Sequence, residues 1–225
     1  EACDMRPTAL LLFDAVLVAC GRIKHFVVLY EENRAFDHFF GHQKQLIDLG
    51  IDGLKGNESN PKSLKHPSKG NVTVYDGAPY VAVEQPVHGY DPYQHKFDIV
   101  NGVPRMDGFV DYERSVHPMR PDVADAVMQG FSDGALPVST ALAAEFAVFD
   151  RWYGAFPGPS WPNHLMTQSA TANGATNTGD YYRCGPKGTK YPQRTIFDNL
   201  LDAGHEYTRI YNDSAIELYF ESYNT

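Results

Sequence analysis

The stretch IKHFVVLYEENRAFDHFFG, residues 23 to 41, decides how the rest of the chain is read. Its opening, IKHFVVLY, is a short apolar, β-branched run of the kind buried in a parallel sheet, and it is expected to be the first strand. Glu31, Glu32, Asn33 and Arg34 follow at its carboxyl end, which is where open α/β sheets bind ligands. Phe36, Phe39 and Phe40 then recur at roughly helical spacing, so a helix or broken helix is expected over 35 to 49.

Beyond this motif, residues 50 to 108 are rich in Gly, Pro, Asn, Ser and Lys, as in GIDGLKGNESNPKSLKHPSKG. They read as a loop-rich insertion with one short strand at NVTVYD, and insertions of that length commonly frame a site. ALPVSTALAAEFAVFDRWYGAF, 135 to 156, reads as a helix with Ser139 or Thr140 as N-cap, followed by a strand AVFDRWY. After the turn GAFPGP, Ser160 precedes another expected helix, whose first turn suits Pro162. TIFDNLLDAG predicts a helix ending at Gly204, and HEYTRIYND a strand. Strands alternating with helices predict an α/β fold with a mainly parallel sheet.

Composition narrows the function classes. The chain has 225 residues, 43% of them hydrophobic and 13% aromatic, with a mean hydropathy of -0.39, which argues against a polytopic membrane protein. A net charge of -9 and a pI near 5.4 give no electrostatic footprint for nucleic acid. Small phosphate compounds stay open as substrates, because a bound cation can outweigh the local acidic field. Cys3, Cys20 and Cys184 are too few for a disulfide framework and lack CxxC spacing.

Residues 1 to 22 have two principal readings. MRPTALLLFDAVLVAC resembles the apolar region of a signal peptide, interrupted by Asp14, which would make the protein secreted or extracytoplasmic. A buried strand or helix is the plainer alternative. LVAC also resembles a lipoprotein cleavage box, although almost no linker would then separate Cys20 from the strand at Ile23. Sequons at Asn57, Asn71 and Asn212 would accept glycans in a eukaryotic secretory route.

Several side chains are candidates for chemistry, each with a plain structural alternative. The Glu32 carboxylate and Asn33 amide carbonyl are hard oxygen donors suited to Ca²⁺, Mg²⁺ or Mn²⁺ and acceptable to Zn²⁺. Equally, Glu32 pairs with Arg34 at a solvated strand end. Asp37 and His38 read as caps of the following helix. Ser160 lies at an expected helix N-terminus, where free N–H groups and the helix dipole favour an anion, so it is either a cap or a nucleophile facing phosphate. Asn163 either donates to a phosphate oxygen or caps. His88, Asp91 and His95 bind a metal, donate a proton or are ordinary loop residues. Asp107, in an Asp-Gly pair, reads as a turn former.

Taken in order, four segments resemble the motifs of a known family. IKHFVVLYEENRAFDHFFG, MDGFV at 106 to 110, FAVFDRWYGAFPGPSWPNHLMTQSATANG at 146 to 174 and TIFDNLLDAG at 195 to 204 look like those of one phosphoesterase family. It holds bacterial non-haemolytic phospholipases C, plant non-specific phospholipases C and a group of bacterial acid phosphatases. The resemblance covers roughly residues 23 to 212 and implies an alkaline phosphatase-like fold, a three-layer α/β/α sandwich. It also implies hydrolysis of phosphoric esters, with Glu32 and Asn33 as ligands of a divalent metal ion, Ser160 as nucleophile, and Asn163 and His95 as phosphate-site residues. In addition, His95 would protonate the leaving alcohol. The usual Arg after the Pro-Asn pair is His164 here.

The resemblance also implies two acidic metal ligands in a later YDExGG-type motif, and nothing like it occurs before Thr225. The expectation is therefore a fragment of the catalytic domain, or a form with little activity. Phospholipase C acting on glycerophospholipids, with transient contact at the membrane surface, is the first functional expectation. Acid phosphatase action on phosphomonoesters is the second. A non-catalytic phosphate- or lipid-binding module is the alternative of another class.

Overall fold

The structure, a computed structural model, describes residues 23–82, 84–182, 191–210 and 220. The expected leader at 1 to 22, the three cysteines and the Asn212 sequon lie outside the described residues. The chain divides into two units, Glu1–Asn33 and Arg34–Thr225. Among the described residues no helix is long and apolar enough to cross a membrane.

In the first unit, residues 23 to 33 carry no regular secondary structure, which corrects the strand expected at 23 to 30. Phe26, Val27 and Leu29 are 85%, 86% and 80% exposed. A strand of a parallel sheet exists only through hydrogen bonds to its neighbours, and no described strand supplies them. The same correction applies in the second unit to AVFDRWY, where residues 147 to 153 are irregular and Phe149, Trp152 and Tyr153 are exposed. It applies also to residues 205 to 210 of HEYTRIYND, whose last three residues lie outside the described set.

The second unit is a mixture of short helices and small sheets. Helices α1 (Phe36–Phe40) and α2 (Lys44–Asp48) realise the broken helix expected at 35 to 49. Gly41 makes the break possible, since a Cβ there would lie 2.4 Å from the Asp37 carbonyl oxygen. Strands β1 (Ser59–Pro61) and β2 (Asn71–Thr73) pair antiparallel, and β2 is the strand expected within NVTVYD. Helix α3 (Tyr90–Phe97) leads into a second antiparallel ladder of β3 (Ile99–Val100) and β4 (Val103–Pro104). The insertion read as loop thus holds a helix. Then follow α4 (Phe109–Val116), α5 (Pro121–Asp125), α6 (Pro137–Glu145), α7 (Ser160–Ser169) and α8 (Ile196–Asp202).

Helix boundaries follow local chemistry. Pro137 opens α6, where its fixed φ suits the first turn, so neither Ser139 nor Thr140 is the cap. Thr140 is buried inside the helix, and its hydroxyl donates to Gln43 Oε1 at 3.3 Å. Gln43, itself fully buried, also accepts from Gly134 N and donates to Ser132 O, so one amide ties α2, the 132–134 turn and α6 together. Helix α8 opens with a capping box in which Thr195 Oγ1 accepts from Asp198 N and the Asp198 carboxylate accepts from Thr195 N. It closes before Gly204 at φ 76°, as the sequence predicts.

Helices α3 and α4 are joined by a buried ion pair. Lys96 Nζ lies 2.6 Å from Glu113 Oε1, with side chains only 4% and 1% exposed. Lys96 also donates to Val87 O, Val87 N donates to Glu113 Oε1, and the ammonium sits over the rings of Tyr93 and Tyr112. Each charge therefore has partners besides the other, as burial demands. A separate apolar cluster of Leu165, Ala172, Ala175, Tyr191 and Phe220 receives α7, with Trp161 and Met166 against its margin.

Replacing Glu113 by Ala leaves the Lys96 ammonium buried without its counter-charge and should cost about 3–5 kcal/mol of unfolding free energy in urea titrations. The Lys96→Met/Glu113→Leu double variant should regain most of that loss. A double variant as unstable as the sum of both single variants would mean that the two charges are not coupled.

Candidate functional site

The turn before α7 is built by close backbone approaches. A Cβ at Gly158 would meet the Phe156 ring at 2.5 Å, so only glycine allows the ring to fold back there. Pro159 occupies the N-cap position in an extended conformation, and Ser160 is the first helical residue. Its hydroxyl makes no hydrogen bond among the described residues, so Ser160 does not serve as the cap. Pro159 and the buried Pro162 bring no N–H, and Asn163 is the first residue whose N–H reaches an intrahelical carbonyl, which leaves the Ser160 amide as an open donor of the first turn. That amide and the positive end of the helix dipole form a place for an anion next to the Ser160 hydroxyl.

Asn163 is committed to this turn. Its Oδ1 accepts from Phe156 N at 3.0 Å, and its Nδ2 reaches the carbonyls of Phe156, Gly158 and Pro159 at 3.0, 3.3 and 3.0 Å. The side chain thus closes the loop on which Ser160 is mounted. His164, in the place of the expected arginine, has its ring 6.3 Å from that of Trp161.

Helix α3 docks on the same turn. The Tyr90 ring stacks on Phe156 at 5.7 Å, and Tyr90 N donates to Asn177 Oδ1 at 3.3 Å. Asn177 is in turn fixed because Asp180 Oδ2 accepts from its backbone N–H and from Thr176. Toward the other end of α3, His95 Nε2 lies 2.9 Å from Asp111 Oδ2. His88 Nδ1 meets Pro86 O, and Asp91 occupies the first turn of α3, so His88, Asp91 and His95 do not converge as a metal cluster. Asp107 follows Met106, whose φ is 60°, and lies 2.6 Å from Arg105 in the turn that leads into α4.

Glu32 and Asn33 belong to the first unit, and both are exposed. Asn33 has φ 70°, a left-handed conformation that Asn tolerates better than most residues. The donor chemistry of this pair fits a hard divalent cation, but two oxygens are too few to hold one. Among the described residues no group of three or more His, Cys, Asp or Glu side chains could do so.

Sequence reasoning missed a cleft of about 610 Å³ beside the motif, lined in part by Arg34, Phe36, Asp37, Lys55, Asp150 and Trp152. Neither Asp37 nor His38 caps α1, whose N-cap is Ala35. Loss of solvent, followed by the Asp52 and Glu58 carboxylates, pushes the Asp37 carboxyl above its ordinary range. Burial and then the Arg34 guanidinium push His38 down. Arg34 hydrogen-bonds His38, donates to the carbonyls of Pro79 and Tyr80 and lies over the Phe131 ring. It therefore anchors the start of the second unit. The alternation of acids and aromatics in FDHFF and FDRWY was the available signal.

Residues 23–225 match the model of the Phosphoesterase family. Non-specific phospholipase C1 of Arabidopsis thaliana is 37% identical over 205 residues, covering 90% of this chain and 37% of the relative. Non-specific phospholipase C6 of the same plant is 37% identical over 209 residues, covering 90% of this chain and 36% of the relative. The non-hemolytic phospholipase C of Pseudomonas aeruginosa is 25% identical over 217 residues, covering 86% and 27%. The chain spans little more than a third of the length of the two plant relatives.

Asn163→Leu removes every partner that the side chain gives to residues 156 to 159. The Phe156 amide should exchange with solvent at least tenfold faster, and stability should fall by about 1–3 kcal/mol. Unchanged exchange at Phe156 would show that the loop is held by other means.

Proposed function

Because the chain belongs to the Phosphoesterase family, we propose that it forms part of an enzyme that hydrolyses phosphoric esters through Ser160, as a phospholipase C acting on glycerophospholipids. The observation that carries this reading is the Ser160 hydroxyl, free of any capping role, at the opening of α7 beside its own open amide and the positive end of the helix dipole. Attack by Ser160 on phosphorus would give a phosphoseryl intermediate that water then hydrolyses. The Ser160 amide and the positive end of the α7 dipole would stabilise charge on the phosphoryl oxygens, and His95 would give a proton to the leaving alcohol. Asn163 would serve the phosphate site through the loop it closes, since its amide is already engaged.

In this reading Glu32 and Asn33 contribute two oxygen ligands to a divalent metal ion, Ca²⁺, Mg²⁺, Mn²⁺ or Zn²⁺. When bound, such an ion makes a hydroxyl more acidic and offsets phosphate charge. Its other ligands would come from residues beyond those described. The apolar runs 23 to 30 and 147 to 153 would then be strands of a three-layer α/β/α sandwich, paired once the sheet is complete. The signal-peptide reading of residues 1 to 22 would take the protein outside the cytoplasm, and a lipid substrate would bring it into transient contact with a membrane surface. With Glu32 and Asn33 as the candidate metal ligands among the described residues, one second reading is a phosphate- or lipid-binding module without turnover.

Ser160→Ala, made in a version extended to the relatives' full length, should abolish turnover of phosphatidylcholine and leave metal content unchanged. Retained turnover would refute the nucleophile. Activity on p-nitrophenyl phosphate alone would replace the phospholipase reading with that of an acid phosphatase, and absence of both in the unsubstituted protein would leave the binding module.

A further inference from the structure

His95 and Asp111 come from different helices, yet their side chains meet at 2.9 Å through Nε2 and Oδ2. Asp111 is held from its other side as well, since Oδ1 accepts from Leu64 N at 2.9 Å. Both carboxylate oxygens are therefore engaged, and the side chain is 18% exposed. His95 leans on the Tyr112 ring at 5.2 Å and remains 43% exposed, so it has a fixed orientation and an open edge. The buried Lys96–Glu113 pair locks the same two helices one and two positions further along the chain. Nothing in this arrangement was expected from the sequence, in which Asp111 carried no role.

The chemistry of the pair fixes the imidazole. An ionised carboxylate only accepts hydrogen bonds, so Nε2 must carry the hydrogen between His95 and Asp111. Nδ1 is left as the nitrogen that gains and loses a proton, and it makes no hydrogen bond among the described residues.

We propose that Asp111 is the positioning residue of the reaction: it holds His95 with Nε2–H bound and Nδ1 presented to the leaving oxygen. This rests on the reading of His95 as proton donor given above. In the first step the bond from Ser160 Oγ to phosphorus forms as the bond from phosphorus to the leaving oxygen breaks. That oxygen takes the proton from Nδ1, and the imidazolium becomes a neutral ring still bound to Asp111. The hydroxyl proton of Ser160 passes to solvent. In the second step water attacks the phosphoserine and gives a proton to Nδ1, which restores the imidazolium, while Ser160 recovers its proton from solvent.

Asp111→Asn tests this with little change of shape, because the amide oxygen can still accept from Leu64 N. The new NH₂ group would donate into Nε2, which drives the ring hydrogen of neutral His95 to Nδ1. Two measurements read the effect in the full-length protein. Imidazole ¹⁵N shifts should report the Nε2–H tautomer before substitution and Nδ1–H after it; an unchanged tautomer would overturn the proposal. Turnover should fall about 10²-fold for an alkyl ester, whose leaving oxygen needs a proton, and less than about tenfold for the p-nitrophenyl ester of the same phosphoryl group. Equal losses on both esters would mean that Asp111 is only structural. His95→Gln separates the two claims. If its loss is also equal on both esters, the donor reading of His95 fails; if its loss is selective and that of Asp111→Asn is not, only the role of Asp111 fails.

Discussion

Two opposite charges taken out of water, those of Lys96 and Glu113, organise the middle of this chain. Burying them is costly unless each finds its partner and further polar contacts, and the Val87 backbone and two tyrosine rings supply such contacts. The geometry that satisfies them also fixes α3 against α4. With that orientation set, His95 can reach Asp111 at one end of α3, while Tyr90 stacks on Phe156 at the other. A polar core thus does the work of orientation that an apolar core of this size leaves loose.

The second organising element is a backbone turn. Gly158 lets the Phe156 ring fold back, the Asn163 amide closes the loop, and Pro162 removes one N–H from the first turn of α7. Ser160 is consequently held at a helix end by neighbours that do not use its hydroxyl. The apolar cluster around Leu165, Tyr191 and Phe220 anchors the opposite face of the helix, so the turn has a rigid base.

What was legible in the sequence was local. Ser160 with Pro162, the run TIFDNLLDA closed by Gly204, and the phenylalanine spacing after Arg34 all marked helices that the structure contains, because caps, prolines and periodicity act within one turn. The long motifs marked the family for a similar reason: contiguous residues carry them. The helix at Tyr90–Phe97 was not legible, since YDPYQHKF has little apolar periodicity and depends on a lysine whose counter-charge comes from the next helix. Thr140 misled in the same way, its hydroxyl being spent on Gln43 at a separation of 97 residues. The strands at 23 to 30 and 147 to 153 were read from composition, whereas a strand is made by its partner. Asp111 had no sequence signal at all, and its contact with His95 exists only in three dimensions.

The exposed run at 23 to 30 also bears on how the molecule behaves at high concentration. Val27, Val28 and Leu29 stand in solvent with their neighbours Phe26 and Tyr30, and an open apolar segment of that kind is a ready template for pairing with another chain. The charges that flank it, Lys24 on one side and Glu31 and Glu32 on the other, are placed where gatekeepers against aggregation are found. Glu31 and Glu32 thus put like charges at the end of the exposed run, where copies of the chain that approached one another in register would repel.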